Sequence, residues 1–123
     1  MKRVAVFLSV ALCACGECGA EDSNSANYLV PGCQIFLRSR SQVQGLTVDE
    51  LTRMAQCKGI IDAIAYVASQ LPPDLSSCPP DGITTQQSIR VVLAYVLARP
   101  AQMHDDFTNL TIQALHQAWP CKR

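Results

Sequence analysis

The sequence lacks the features that mark two common classes of protein. It has no run of basic residues, and its ten basic and ten acidic side chains give a formal net charge of +0. A near-neutral domain without a basic patch has no electrostatic footprint for nucleic acid. Beyond the N-terminal segment, no stretch approaches the roughly 20 apolar residues that a membrane-spanning helix needs. By exclusion, charge and hydropathy favour a protein or a small molecule as the partner.

The N-terminal 20 residues have the order of features of a secretory signal peptide. Lys2 and Arg3 are followed by a short apolar run, residues 4–12, and Cys18-Gly19-Ala20 offers small residues for cleavage before Glu21. We therefore predict a signal peptide over residues 1–20 and a helical domain over residues 21–123. Removing the signal peptide leaves eight basic and nine acidic residues, a net charge of −1.

Three cysteines lie within this leader and allow other interpretations. Leu12-Cys13-Ala14-Cys15 resembles a lipobox, in which Cys15 would carry a lipid anchor after cleavage. Cys13 is unusual at its position in such a box, so cleavage without lipidation is the preferred interpretation. Together with Cys18 these cysteines could also suggest a metal cluster, but they belong to a segment that is expected to be removed.

Four cysteines remain in the predicted domain, and an even number after a signal peptide indicates disulfides formed in an oxidising compartment. They are Cys33, Cys57, Cys78 and Cys121. Their spacing is much wider than the closely spaced ligand pairs of a structural zinc site. The sequence therefore favours two disulfides over a metal.

Apolar residues recur at helical spacing in four segments, whereas strand-like alternation and internal repeats are absent. The first, residues 28–39, is the least certain helix because Pro31 is comfortable only in a first turn. Thr47 and Glu50 form a capping-box pattern for the second helix, which should run to about Leu71. Its nearly continuous apolar middle, residues 60–68, predicts a central position in the fold.

A second capping-box pattern, Thr84 with Gln87, opens a third helix that ends before Pro100. The fourth helix should start near Asp105 or Asp106 and end at Pro120. The sequence thus predicts an all-α, small four-helix antiparallel domain with two disulfides. In an antiparallel hairpin Cys78 and Cys121 would be neighbours, which leaves Cys33 to pair with Cys57, although the other two pairings stay open.

The sequence shows no set of residues typical of catalysis. It contains no G-x-S-x-G segment, no Gly-rich phosphate loop and no C-x-x-C-H haem site, and paired cysteines would leave no free thiol. His104 beside Asp105 and Asp106 could form a metal or acid–base site, but a solvated turn that caps the fourth helix is the simpler interpretation. His116 is expected at the surface and Trp119 in the core. We therefore predict no enzyme, no catalytic residue, no metal and no cofactor.

Two stretches resemble a known family, the Tai/Rap immunity proteins that act against type VI secretion amidase effectors. The resemblance covers roughly residues 24–121 and departs from the family where Ile60 and Ala63 replace an aromatic residue and a glycine. It is carried by Tyr28-Leu29, Cys33, Cys57-Lys58-Gly59, Cys78-Pro79-Pro80-Asp81-Gly82-Ile83-Thr84, Gln87, Val91-Val92, Tyr95-Val96-Leu97, Pro100, Ala114-Leu115 and Ala118-Trp119-Pro120-Cys121.

The resemblance implies a periplasmic, all-helical protein, often a homodimer, that binds a peptidoglycan amidase and blocks its cleft sterically. A plug has to be rigid, because preorganisation lowers the entropic cost of binding. The loop of residues 72–82, with four prolines and a cysteine, is the first candidate for the binding surface, or else a simple connection. Its candidate contacts are Pro73, Asp74, Leu75, Ser76 and Asp81. A small periplasmic chaperone and a small-ligand carrier are the alternatives.

Overall fold

Four α-helices make up most of the computed structural model, which describes residues 22–38, 42 and 44–122. The helices are α1 (Ala26–Phe36), α2 (Val48–Val67), α3 (Thr85–Leu97) and α4 (Phe107–Ala118). Short 3-10 turns follow α2 and α3, at Ala68–Gln70 and Pro100–Gln102. Within the described residues there are two isolated β-bridges and no strands. The all-α fold is therefore confirmed.

The helix boundaries follow local capping chemistry. Thr47 and Thr84 each accept a hydrogen bond from the third helical backbone N–H, and the Glu50 and Gln87 side chains bond back to the cap residues. Both predicted capping boxes are thus confirmed. Asp106 caps α4 by accepting the Asn109 N–H at 3.0 Å, which settles the choice between the two aspartates. Each cap satisfies N–H groups that the first turn cannot pair internally.

The first helix differs from its prediction. It begins at Ala26 instead of Tyr28, because Ser25 caps it by accepting the Tyr28 N–H, and it ends at Phe36. The predicted end at Ser39 lies outside the described residues. Pro31 is the sixth residue of α1, beyond the first turn, so the least certain of the predicted helices forms with a proline in its interior. Because Pro31 and Asn27 are exposed, water can reach the carbonyl that lacks its usual partner.

The core is built from the inward faces of all four helices. Its largest fully buried side chains are Phe107, Leu29, Ile61, Ile89, Leu110, Leu115, Val92 and Val96. Trp119 is partly buried and packs against this cluster, as predicted. Both disulfides are present, Cys33–Cys57 and Cys78–Cys121, so the preferred pairing is confirmed. In the chain-entropy model, each disulfide that closes a loop of this length stabilises the folded state by roughly 3–4 kcal/mol.

The second helix is less central than its apolar middle predicted. It packs chiefly against α1 and also touches α3 and α4, yet only Cys57 and Ile61 of its 20 residues are buried. Val48 and Tyr66 are each 82% exposed. An apolar run gives no information on which way a helix faces, and here one apolar side of α2 points to solvent.

A glycine sets the close approach of α1 to α2. A Cβ atom on Gly32 would lie 2.3 Å from the carbonyl carbon of Arg53, a distance that no real contact allows. The neighbouring disulfide Cys33–Cys57 joins the same two helices at a Cα–Cα distance of 5.3 Å. The close contact between α1 and α2 therefore requires a residue without a Cβ at position 32.

We expect Gly32→Ala to destabilise the protein by about 1–3 kcal/mol, because the added methyl group must push the two backbones apart. The matched control is Gly59→Ala in α2, where a Cβ would meet nothing within 4 Å. That substitution should raise stability by up to about 1 kcal/mol through helix propensity. Urea unfolding followed by circular dichroism measures both, and equal effects would contradict the close-approach argument.

Candidate functional site

The loop of residues 72–82, termed here the proline loop, leaves the end of α2 and leads to α3. It contains two exposed turns, and between them Ser76 and Ser77 are buried. In the first turn the Pro72 carbonyl accepts the N–H groups of Leu75 and Ser76 at 2.8 and 2.9 Å. Pro73, Asp74 and Leu75 are exposed there. In the second turn Asp81 is exposed beside Gly82, whose φ of 82° is a conformation that favours glycine.

Between these turns, residues 76–78 are held against the rest of the fold. Ser77 is fully buried and its N–H donates to the Ala68 carbonyl at 3.1 Å. The Cys78 N–H donates to the Trp119 carbonyl at 2.7 Å, next to the disulfide from Cys78 to Cys121. The segment is therefore attached both to the end of α2 and to the end of α4. Both exposed turns start from a fixed base.

His116 adds a side-chain contact to this attachment. Its Nδ1 lies 2.6 Å from the Ser76 carbonyl oxygen, and because a carbonyl only accepts, Nδ1 carries the proton and donates. The expectation that His116 is a surface residue was wrong, since it is partly buried between α4 and the proline loop. The contact joins residues 40 positions apart, and local sequence gave no signal for it.

The five candidate contacts are not equivalent. Pro73, Asp74, Leu75 and Asp81 are exposed, whereas Ser76 is only 5% exposed and its hydroxyl faces the Pro73 carbonyl at 3.4 Å. The two aspartates form no ion pair or side-chain hydrogen bond with any other residue in the described part of the chain. Their charges are therefore available to a partner, while Ser76 belongs to the base of the loop.

Grooves lie on both sides of the proline loop. One of about 370 Å³ is lined by Ser69, Leu71, Pro73, Ser76, Cys78, Cys121 and Lys122, so the Cys78–Cys121 disulfide forms part of its wall. The other, of about 320 Å³, is lined by Asp62, Ala65, Ser88, Thr85 and residues 79–83. Both are shallow surface features rather than enclosed cavities. The proline loop therefore projects between two grooves that a partner surface can fill.

Asp62 links the second groove to the framework. It accepts hydrogen bonds from Thr85 Oγ1 at 2.7 Å and from Lys58, which precedes it by one turn of α2. Burial acts to raise the pKa of the Asp62 carboxyl, but the hydrogen bonds from Lys58 and Thr85 outweigh it and hold the pKa below its ordinary value. Asp62 therefore fastens α2 to the start of α3 in its ionised form.

The turn with His104, Asp105 and Asp106 was the other candidate for a metal or acid–base site. His104 Nε2 lies 3.2 Å from Asp105 Oδ1, but the His104 side chain is 77% exposed. Asp106 serves as the cap of α4, in agreement with the simpler interpretation of this turn. In the residues that the structure describes, no group of three or more His, Cys, Asp or Glu could hold a metal ion. The cysteines of the predicted leader lie outside those residues.

These observations define a class: a small helical domain closed by disulfides, whose most distinctive surface is an anchored, proline-rich loop. The family model for Rap1a immunity proteins matches residues 25–121. This chain therefore belongs to the Rap1a immunity protein family, in agreement with the resemblance seen in its sequence. No curated protein and no solved structure matches it. Along the described residues, no helix is long and apolar enough to cross a membrane.

We expect His116→Ala to loosen the proline loop without unfolding the domain. Loss of the hydrogen bond to Ser76 leaves a partly buried carbonyl unpaired, which typically costs about 1–3 kcal/mol. Hydrogen exchange of the Ser77 and Cys78 amides should accelerate relative to the core of α3. His104→Ala is the matched control, since its side chain is exposed, and it should leave those amides unchanged. Equal protection in both variants would contradict the anchoring role.

We also expect Asp62 to make stability depend on acid pH. Its pKa is lower in the folded chain than its ordinary value of 3.8, so its stabilisation is present above that value and lost as pH falls through the folded pKa. Because the group is partly exposed, the effect should not exceed about 1 kcal/mol. The difference in Tm between wild type and Asp62→Asn should shrink from about pH 6 to about pH 3. A constant difference would contradict it.

Proposed function

We propose that this protein is a periplasmic immunity protein that binds a peptidoglycan amidase effector of type VI secretion and blocks its active cleft sterically. Membership of the Rap1a family supports the immunity role, because the match extends over nearly the whole described domain. The two disulfides support an oxidising compartment such as the periplasm. The signal peptide proposed for residues 1–20, with cleavage before Glu21, would direct export.

The proline loop is the part of the molecule that we propose enters the cleft. Its exposed turn carries Pro73, Asp74 and Leu75 on a backbone fixed by the Pro72 carbonyl and by the buried residues behind it. A prolyl-rich loop of this kind loses little conformational freedom on binding, so more of the contact energy appears as affinity. Asp81 adds a second unpaired carboxylate on the other exposed turn. Together they suit a cleft with basic or hydrogen-bond-donating groups.

Inhibition by this route requires no chemistry from the immunity protein. A catalytic role would need a nucleophile with a positioned base, paired carboxylates or a metal. The closest arrangement among the described residues is the exposed His104–Asp105 pair, which lies outside the grooves beside the proline loop. We therefore propose a non-enzymatic, stoichiometric inhibitor.

The test is expression of the full chain with a C-terminal tag, followed by purification of its complexes from the periplasm. We expect a peptidoglycan amidase at one-to-one stoichiometry, and we expect the purified complex to leave peptidoglycan uncleaved while the free amidase cleaves it. Recovery of an amidase that stays fully active in the complex would contradict steric inhibition. Failure to protect cells from a periplasmic amidase, with the chain present in excess, would contradict the immunity role.

We expect Asp74→Asn and Asp81→Asn, combined in one variant, to weaken binding of the amidase about tenfold or more. Removal of charges at an interface rim mainly slows association, and removal of buried ones speeds dissociation. The control is Asp105→Asn, a partly exposed carboxylate just before the cap of α4 whose only side-chain contact in the described residues is with the exposed His104. Surface plasmon resonance measures both rates. If the control weakened binding as strongly as the double variant, the proline loop would not be the binding surface.

A further inference from the structure

The two disulfides differ in how far a molecule in solution can reach them. Cys33 and Cys57 are each 0% exposed and belong to the hydrophobic core. Cys78 is exposed and Cys121 is partly exposed, and both line the groove of about 370 Å³ beside the proline loop. A thiolate has to reach a sulfur atom to attack a disulfide, so access decides which of the two disulfides reacts. In the folded chain that disulfide is Cys78–Cys121.

The groove carries a positive charge beside this disulfide. Lys122 follows Cys121 in the chain, is exposed and lines the same groove. Within the described part of the chain it forms no ion pair. A nearby cation attracts an incoming thiolate and stabilises the thiolate that leaves, and both effects speed exchange. The groove therefore suits attack on Cys78, which releases Cys121 as a thiolate beside Lys122.

We propose that Cys78–Cys121 is a site of thiol–disulfide exchange with a dithiol reductant, and that exchange there releases the base of the proline loop. In the first step, a thiolate of the dithiol forms a bond to Cys78 Sγ while the Sγ–Sγ bond breaks. The electron pair of that bond leaves with Cys121, which takes up a proton. In the second step, the other thiol of the reductant loses its proton, attacks the mixed disulfide and releases Cys78, which is protonated in turn. The dithiol ends as a disulfide, and two electrons and two protons have passed to the two cysteines.

The fold explains why the reductant has to be a dithiol. The Cys78 N–H donates to the Trp119 carbonyl at 2.7 Å and the Ser77 N–H to the Ala68 carbonyl, so the segment keeps its place when the Sγ–Sγ bond breaks. The Cα atoms of the two cysteines are 4.8 Å apart, and Cys121 therefore stays beside the mixed disulfide at a high effective concentration. It displaces a monothiol and closes the native disulfide again. A second thiol on the reductant competes with that reversal.

Reduction should loosen the proline loop and leave the helical core folded. Three hydrogen bonds of residues 76–78 do not involve sulfur, namely the two backbone bonds above and the contact of His116 with the Ser76 carbonyl. The disulfide Cys33–Cys57 stays closed in the core. Without the covalent link to the end of α4, the loop has more conformational freedom to lose on binding. Weaker binding of the amidase is the consequence that rests on the proposed function, whereas the exchange itself does not.

Timed reduction of the full chain, purified in its oxidised form, tests the site. The protein is treated with dithiothreitol, samples are quenched with iodoacetamide, and the labelled cysteines are located by peptide mass spectrometry. Cys78 and Cys121 should be labelled about tenfold faster or more than Cys33 and Cys57, while circular dichroism still shows the folded helices. Equal rates for the two pairs would overturn the proposal. So would labelling of Cys78 and Cys121 only after the helices unfold.

Lys122→Gln tests the part played by the charge in the groove. It should slow labelling of Cys78 and Cys121 by about threefold or more, because the incoming and leaving thiolates lose a neighbouring cation. The matched control is Arg90→Gln, the same change of charge at an exposed position of α3 outside this groove. It should leave the labelling rate unchanged. Equal slowing in the two variants would show that net charge sets the rate and would overturn the role of Lys122.

Hydrogen exchange tests the release of the loop without any amidase, so its failure is distinguishable from failure of the proposed function. The double variant Cys78→Ser with Cys121→Ser represents the reduced state. Its Ser77 amide should exchange about tenfold faster or more than in the oxidised wild type, while the amides of Ile89 and Val92 in the core of α3 keep their protection. Unchanged protection of Ser77 would overturn the release. Loss of protection throughout α3 would overturn the expectation that the core stays folded.

Discussion

The attachment of residues 76–78 to the end of α4 is the constraint on which the rest of this structure depends. The Cys78–Cys121 disulfide, the Cys78 N–H bond to the Trp119 carbonyl and the His116 contact with Ser76 all act within three residues. They close the domain by joining the segment before α3 to the segment after α4. They also fix the base from which both exposed turns of the proline loop begin. Closure of the fold and rigidity of the candidate site thus have one cause.

The two disulfides serve this arrangement differently. Cys33 and Cys57 are fully buried at the α1–α2 contact, beside the glycine that lets those helices touch. Cys78 and Cys121 line a surface groove next to the proline loop. A domain of about 100 residues has a marginal core, so both crosslinks matter for stability because they restrict the unfolded chain. The second one also limits the motion of a surface that we propose makes contact with a partner.

Local chemistry explains what could be predicted from the sequence. The capping boxes at Thr47 and Thr84 lie within four residues each, so helix starts and the all-α class were accessible. The order of the helices favoured the Cys78–Cys121 pairing without excluding the other two, and the structure contains it. The contact of His116 with Ser76 could not be predicted, because it joins residues 40 positions apart and depends on how α4 rotates about its axis. Ser76 was a candidate contact because it lies in the loop, but it is buried, which also depends on contacts between distant parts of the chain.

The outward face of α2 shows a second limit of prediction from the sequence. Residues 60–68 are nearly continuous in apolar side chains, and such a run predicts burial without saying what covers it. The two helical glycines, Gly32 and Gly59, differ in what surrounds them. Gly32 is required by the backbone of Arg53, so its cost in helix propensity is offset inside the monomer. Gly59 has the same cost in helix propensity, although a Cβ there would meet nothing within 4 Å. Val48 before it and Tyr66 after it on α2 are both exposed. Packing within the chain explains the first glycine, whereas no contact among the described residues requires the second.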